Sequence, residues 1–227
     1  MLKVENLHVK IGGVEILRGI RLEVEKGEIV GLVGRNGAGK TTTLKTIMGF
    51  YKPELGRIEV DGVDVTKLPP HERARYGLAY MPEDIRLFPW LTAEENIRVA
   101  ALLSGRTSKY EELLEKIYGI LPEIRRFNDR IAYHLSGGEK RMVALARVLA
   151  MEPKYALLDE LFEGLAPALV ERLIEPLRGI AREGVGILIA ESNLILASKI
   201  CNRIYVIERG EVILEGTPRE VLSKMTI

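Results

Sequence analysis

The chain has 227 residues, 47% hydrophobic and 29% charged, enough for one compact unit with a sizeable core. With 33 Lys and Arg against 32 Asp and Glu the formal net charge is +1, so no single-sign field marks a nucleic-acid or lipid surface. The single Cys201 excludes an internal disulfide and a cysteine-built metal site, and no apolar run approaches the roughly 18 residues that cross a bilayer.

Alternating apolar residues in 2–9 and 16–24, and again in 57–65 around the Asp61-Gly62 turn, predict short antiparallel strands in a small sheet. Ile29–Val33, Leu78–Met81, 155–158 and 186–190 are continuous apolar runs, suited to parallel strands covered by helices on both faces.

Directly after the first of these runs stands Gly34-Arg35-Asn36-Gly37-Ala38-Gly39-Lys40-Thr41, followed by a helical stretch at 41–48. The spacing is that of a phosphate-binding loop. Glycines let backbone N–H groups turn inward around phosphates, the helix N-terminus adds partial positive charge, and Lys40 neutralises β and γ oxygens. Thr41 is positioned to place its hydroxyl on Mg²⁺. A glycine-rich turn alone would not need the Lys-Thr pair in register between a strand and a helix.

Residues 92–150 carry helical character. Thr92 and Glu95 form one capping box ahead of an apolar stripe, and Ser136 and Glu139 form another. The pattern predicts a helical lobe at 92–150 inserted into a core of 1–91 and 151–227, within a single domain of 1–227. Thr217, Pro218 and Glu220 start one more short helix.

Leu135-Ser136-Gly137-Gly138-Glu139 is more than a helix start. Capping accounts for Ser136 and Glu139 but not for two glycines, which cost about 1 kcal/mol each relative to alanine inside a helix. They let another molecule approach the backbone closely. Further on, Tyr155-Ala156-Leu157-Leu158 runs into Asp159 and Glu160, two carboxylates at the end of a core strand where open α/β sheets bind ligands. Asp159 suits Mg²⁺ through water, and Glu160 suits the orientation and deprotonation of an attacking water. A helix-capping role fits Glu163 but not both of these acids.

These three motifs in this order resemble the nucleotide-binding subunit of an ATP-binding-cassette (ABC) transporter, over essentially the whole chain. The resemblance implies an α/β fold: a P-loop NTPase (RecA-like) core with an antiparallel β subdomain and the inserted helical lobe. It implies ATP as substrate with Mg²⁺, and hydrolysis coupled to transport. Nucleotide contacts are implied for Ile11, Gly34, Arg35, Asn36, Gly37, Ala38, Gly39, Lys40, Thr41 and Thr42, and metal contacts for Thr41, Glu83 and Asp159. Leu135, Ser136, Gly137, Gly138 and Glu139 would contact the γ-phosphate bound by a second ATPase subunit, in a homo- or heterodimer. Transmembrane permease subunits and, indirectly, a solute-binding protein are the other implied partners. The chain is then peripheral, on the cytoplasmic face of the membrane, with no nucleic acid bound.

Met81-Pro82-Glu83 and Gly164-Leu165-Ala166-Pro167 look most like one of the two ATPase subunits of branched-chain amino acid importers and their urea and amide relatives. Import of branched-chain amino acids or related small solutes is the expectation. Four positions depart from the general family pattern. Ile11 stands where an aromatic usually stacks on adenine, Leu161 replaces a proline, Ala166 an aspartate, and Ser192 a histidine at the switch position. They leave a second reading open, a degenerate subunit that completes a partner's site with little hydrolysis of its own. Intact Lys40, Asp159 and Glu160 speak against it. Phe88, Pro89 and Trp90 have two readings, docking a membrane subunit or packing the lobe on the core.

Overall fold

The structure, a computed structural model, describes residues 1–104 and 109–225. In chain order, β1 (Leu2–Ile11) and β2 (Val14–Val24) form a hairpin, and β3 (Ile29–Val33) leads into α1 (Lys40–Met48). A second hairpin, β4 (Leu55–Val60) and β5 (Val63–Asp64), precedes α2 (Pro70–Arg75) and β6 (Leu78–Met81). Then come α3 (Ala93–Leu103), α4 (Tyr110–Ile120) and α5 (Gly137–Ala150), with 3₁₀ turns at Pro122–Arg126 and Ala132–His134. They are followed by β7 (Tyr155–Asp159), α6 (Pro167–Arg182), β8 (Gly186–Glu191) and α7 (Leu194–Ile200). The order ends in β9 (Arg203–Glu208), β10 (Glu211–Gly216) and α8 (Pro218–Met225).

Period-two burial in β1 and β2 points Leu2, Val4, Leu17 and Ile20 inward, and the four-stranded antiparallel sheet runs β2-β1-β4-β5. Both of its hairpin turns use positive φ: Gly12 and Gly13 at 58° and 83°, Asp61 and Gly62 at 50° and 80°. The second sheet runs β10-β9-β3-β8-β7-β6, parallel from β9 to β6 with β10 antiparallel at the edge. Its central strands are buried on both faces, as their continuous apolar runs require. Val30, Leu32, Leu157 and Leu188 face the antiparallel sheet and α1, whereas Ile29, Leu158, Ile187 and Ile189 face α5 and α6. Each such buried side chain contributes about 1.5–3 kcal/mol.

One finding differs from the sequence expectation. The four core strands expected are joined by β9 and β10, whose apolar stretch Ile204, Tyr205, Val206 and Ile207 extends the sheet beyond β3. Residues 92–150 hold three helices with 3₁₀ turns between them, and 105–108 lie outside the described residues. Both capping boxes form. Thr92 Oγ1 accepts from Glu95 N–H at 3.1 Å and Ser136 Oγ from Glu139 N–H at 3.3 Å, and each glutamate accepts in return.

The helix behind the phosphate loop is anchored at its far end. Arg73, only 1% exposed, donates to the carbonyls of Thr46, Ile47, Thr66 and Leu68. Two of these belong to the last turn of α1, where orphan carbonyls and the helix dipole favour a cation. Among the described residues, no helix is long and apolar enough to cross a membrane.

Candidate nucleotide site

The loop between β3 and α1 can be built only with glycine at two of its positions. A Cβ at Gly34 would lie 2.2 Å from the carbonyl oxygen of Ile207, and Gly39 sits at φ 112° with Leu17 2.9 Å from where its Cβ would be. Ala38 is buried and its carbonyl accepts from Gly210 N–H at 2.9 Å, so the loop is braced by the turn after β9, which the sequence did not single out. Arg35 is exposed, and its carbonyl accepts from Ala38 N–H.

Lys40 is 5% exposed, and its ammonium donates to the Gly34 carbonyl at 2.7 Å and to that of Arg35 at 3.3 Å. Its third partner is Glu160 Oε1 at 3.0 Å. Thr41 Oγ1 donates to Asp159 Oδ1 at 3.0 Å, so strand end and helix start meet through these two pairs. Asp159 is fully buried, and its second oxygen accepts from the Tyr80 hydroxyl at 2.9 Å. Burial raises the Asp159 carboxyl above the usual range, although the Tyr80 and Thr41 hydrogen bonds pull the other way. Burial first, and then the Asp159 carboxylate, push the Tyr80 phenol upward, so it stays a donor.

Glu160 adopts φ 48°, a left-handed conformation that costs a side-chain-bearing residue about 1–2 kcal/mol. Its surroundings hold it there. Its N–H donates to the Ala190 carbonyl at 3.0 Å, its carbonyl accepts from Arg141 at 2.7 Å, and its Oε2 accepts from Ser192 N–H at 3.3 Å. The Ser192 hydroxyl lies 3.5 Å from the same oxygen. The switch-position serine therefore engages the carboxylate through its backbone as well as its side chain. Leu161, in place of proline, is fully buried in the core beside α5 and α6.

A cavity of about 640 Å³ opens above the loop, lined by Ile11, Asn36, Gly37, Thr42, Glu83 and Glu160 together with Gly39, Lys40 and Thr41. Ile11 is 37% exposed there, with Val14 and Ile16 beside it. A neighbouring cavity of about 330 Å³ brings Thr41, Glu83 and Asp159 together. Burial and then Glu163, Asp159 and Glu160 raise the Glu83 carboxyl, with Lys45 acting against them. This excess of hard oxygen donors over nearby cations fits a small divalent ion that arrives with phosphate and water.

Leu135–Glu139 do not line the cavity above the phosphate loop among the described residues. Ser136 and Glu139 close the capping box, and Glu139 also pairs with Arg130 at 2.9 Å. The two glycines differ. A Cβ on Gly137 would meet nothing within 4 Å, whereas one on Gly138 would lie 2.5 Å from Leu169 Cδ2. The surface beside Gly137 is therefore open, while a side chain at Gly138 would require Leu169 of α6 to shift.

Tyr80 and Arg141 were not marked by sequence reasoning, since each acts across the fold, at separations of 79 and 19 residues. Trp90 and Tyr133 stack with ring centres 5.7 Å apart and are both exposed, while Phe88 lies under Arg147 at 5.4 Å.

A lysine-threonine phosphate loop facing two buried carboxylates at the end of a parallel strand defines a nucleotide-hydrolysing P-loop protein. The chain belongs to the ABC transporter family: the family model described as "ABC transporter" matches residues 17–163. It is 36% identical to the lipopolysaccharide export system ATP-binding protein LptB of Haemophilus influenzae, over 98% of this chain and 93% of that one. It is 34% identical to the high-affinity branched-chain amino acid transport ATP-binding protein BraG of Pseudomonas aeruginosa, over 98% and 95%. A solved ATP-binding subunit of an ABC transporter superposes with a TM-score of 0.87 at 30% identity, covering 100% of this chain and 93% of that one. The dimeric post-hydrolysis cassette MJ0796 bound to ADP and Pi superposes at 0.85 and 25% identity, over 96% and 99%. The protein is thus an ATP-binding subunit of an ABC transporter, an ATPase coupled to transport.

Proposed function

We propose that this chain hydrolyses ATP at its own phosphate loop, with Glu160 as general base and Lys40 on the β and γ oxygens. The convergence of Lys40, Thr41, Asp159 and Glu160 within 3.0 Å contacts at one mouth of the sheet carries this reading. Gly34 through Thr42 cradle the phosphates, Ile11 gives the base an apolar contact, and Thr41, Asp159 and Glu83 hold Mg²⁺ with phosphate and water. Among the described residues no three His, Cys, Asp or Glu form a cage of their own, which suits an ion that comes with the nucleotide. Bound there, Mg²⁺ would neutralise phosphate charge. Replacing Lys40 with Ala tests the assignment. It should remove Mg-ATP binding and turnover in the assembled transporter, and turnover at the parent rate would contradict it.

We read 1–227 as one ABC ATPase domain, with 92–150 as a helical lobe on a core and β subdomain of 1–91 and 151–227. Among the described residues, three helices between β6 and β7 support that division. Leu135–Glu139 complete the site of a second ATPase subunit, supported by the open space at Gly137 and by the dimeric relative. An apolar cavity of about 420 Å³, lined by Phe50, Tyr80, Ile85, Leu103 and Arg147 beside the Glu83 segment, is where a permease subunit docks on this reading. The chain is then peripheral on the cytoplasmic face of the membrane.

For the solute, import of branched-chain amino acids or related small molecules is supported by Met81-Pro82-Glu83, Gly164-Leu165-Ala166-Pro167 and BraG at 34% identity. Lipopolysaccharide export is the second reading, favoured by LptB relatives at 36% and 37%. Mass spectrometry of the membrane subunits that copurify decides between them. Permeases of neither kind would contradict both.

A further inference from the structure

Glu191 is a buried carboxyl that none of the roles above uses. It ends β8, is 3% exposed, and stands between Ala190 and Ser192, both of which touch Glu160. Its carbonyl accepts from Gly34 N–H at 3.2 Å, at the first residue of the phosphate loop. Its side-chain Oε1 accepts from Phe162 N–H at 3.2 Å, two residues beyond Glu160. One residue therefore joins the start of the phosphate loop to the turn that carries the strained Glu160.

We propose that Glu191 is the positioning residue of the hydrolytic site: its side chain fastens the 160–162 turn and so aims the Glu160 carboxylate into the phosphate cavity. The inference rests on the reading of Glu160 as general base. A left-handed backbone at a residue with a Cβ persists only where neighbours over-determine it, and here the end of β8 supplies them. Ala190 holds the Glu160 backbone, Ser192 holds its carboxylate, and Glu191 holds the chain after it. A carboxyl this buried is retained at a cost that an apolar strand residue would not carry. Burial, and next the Glu160 carboxylate, push the Glu191 carboxyl far up, so glutamine mimics its neutral form in shape and keeps the acceptor for Phe162.

The test is single-turnover hydrolysis of Mg-ATP by the chain assembled with its partner ATPase and membrane subunits, with nucleotide affinity measured by calorimetry on the same samples. Glu191→Leu, which removes the acceptor, should lower the hydrolysis rate about 10- to 100-fold while the Mg-ATP Kd stays within about twofold, because misaimed groups lose rate rather than binding. Glu191→Gln should restore the rate to within about threefold of the parent. Should Glu191→Leu not fold, Glu191→Val suits the strand and lacks the acceptor equally, and its predicted loss is the same. Adding Glu191→Leu to Glu160→Gln should cost no further rate, since the positioning residue acts through Glu160. Parent-rate hydrolysis by Glu191→Leu or Glu191→Val would overturn the inference, as would equal losses in the Gln and Leu variants. A parallel Glu160→Gln sample separates the two claims. If it hydrolyses at the parent rate, the base assignment and this inference fall together. If it is inactive while Glu191→Leu or Glu191→Val is not impaired, only the inference falls.

Discussion

Lys40 Nζ stands 3.0 Å from Glu160 Oε1, both side chains buried, so the ammonium that suits phosphate is paired with the carboxylate that suits the attacking water. On the proposed reading, Mg-ATP displaces Glu160 from Lys40 as it binds, and that exchange frees the carboxylate for the attacking water. Glu160→Gln removes the competing charge. It should bind Mg-ATP at least as tightly as the parent, measured by calorimetry, and weaker binding by tenfold or so would show that Glu160 supports the loop rather than competing with phosphate.

On the proposed reading, Ile11 offers the base an apolar edge where an aromatic ring would stack. A ring stack contributes about 0.5–1.5 kcal/mol, so Ile11→Tyr should tighten ATP and GTP alike by a few-fold to about tenfold, with the phosphate contacts unchanged. The parent chain should bind the two nucleotides with similar affinity. Strong preference for ATP in a competition titration would place adenine recognition elsewhere.

Gly137 separates stability from activity. Alanine there meets nothing within 4 Å and gains up to about 1 kcal/mol of helix propensity, so the thermal midpoint should hold or rise. If a second subunit's nucleotide closes on this backbone, the same variant should lower the ATPase rate of the assembled dimer. Unchanged rate with unchanged assembly would remove Gly137 from the site.

Much of the site could be read from sequence because each motif is local. The phosphate loop, both capping boxes and the acidic strand end are encoded within eight residues or fewer, and the structure forms the corresponding turns and contacts. What stayed hidden acts across the fold. Tyr80 reaches Asp159, Arg141 reaches the Glu160 carbonyl from α5, and Glu191 reaches Phe162, pairings that no spacing rule encodes. The closeness of Leu169, one helix further along the chain, to Gly138 is another such pairing. The run at 204–207 is short and flanked by polar residues, and it becomes a strand because β3 lies open beside it.

Asp61 gathers the Met1 ammonium at 2.8 Å, Lys26 at 3.3 Å, Lys154 at 3.2 Å and the Tyr155 hydroxyl at 2.7 Å. Partial burial works to raise its carboxyl, but these hydrogen bonds outweigh it and hold it well below the usual range. A lowered folded pKa gives stability that is present above the unfolded value of about 3.9 and is lost as pH falls through the folded one. Asp61→Asn keeps a residue that tolerates the left-handed turn and should cost about 1–2 kcal/mol near neutral pH. Parent and variant should converge in strong acid. A gap in denaturation midpoint that stays constant down to low pH would mean that the charge contributes nothing.

The most direct test of the account is ATP turnover by the transporter assembled with its membrane subunits, comparing the parent chain with Glu160→Gln. A general base contributes about 10²–10⁴ in rate, so the variant should lose that much while still binding Mg-ATP. Turnover by Glu160→Gln at the parent rate would contradict hydrolysis at this site and leave the chain as a subunit that only completes its partner's.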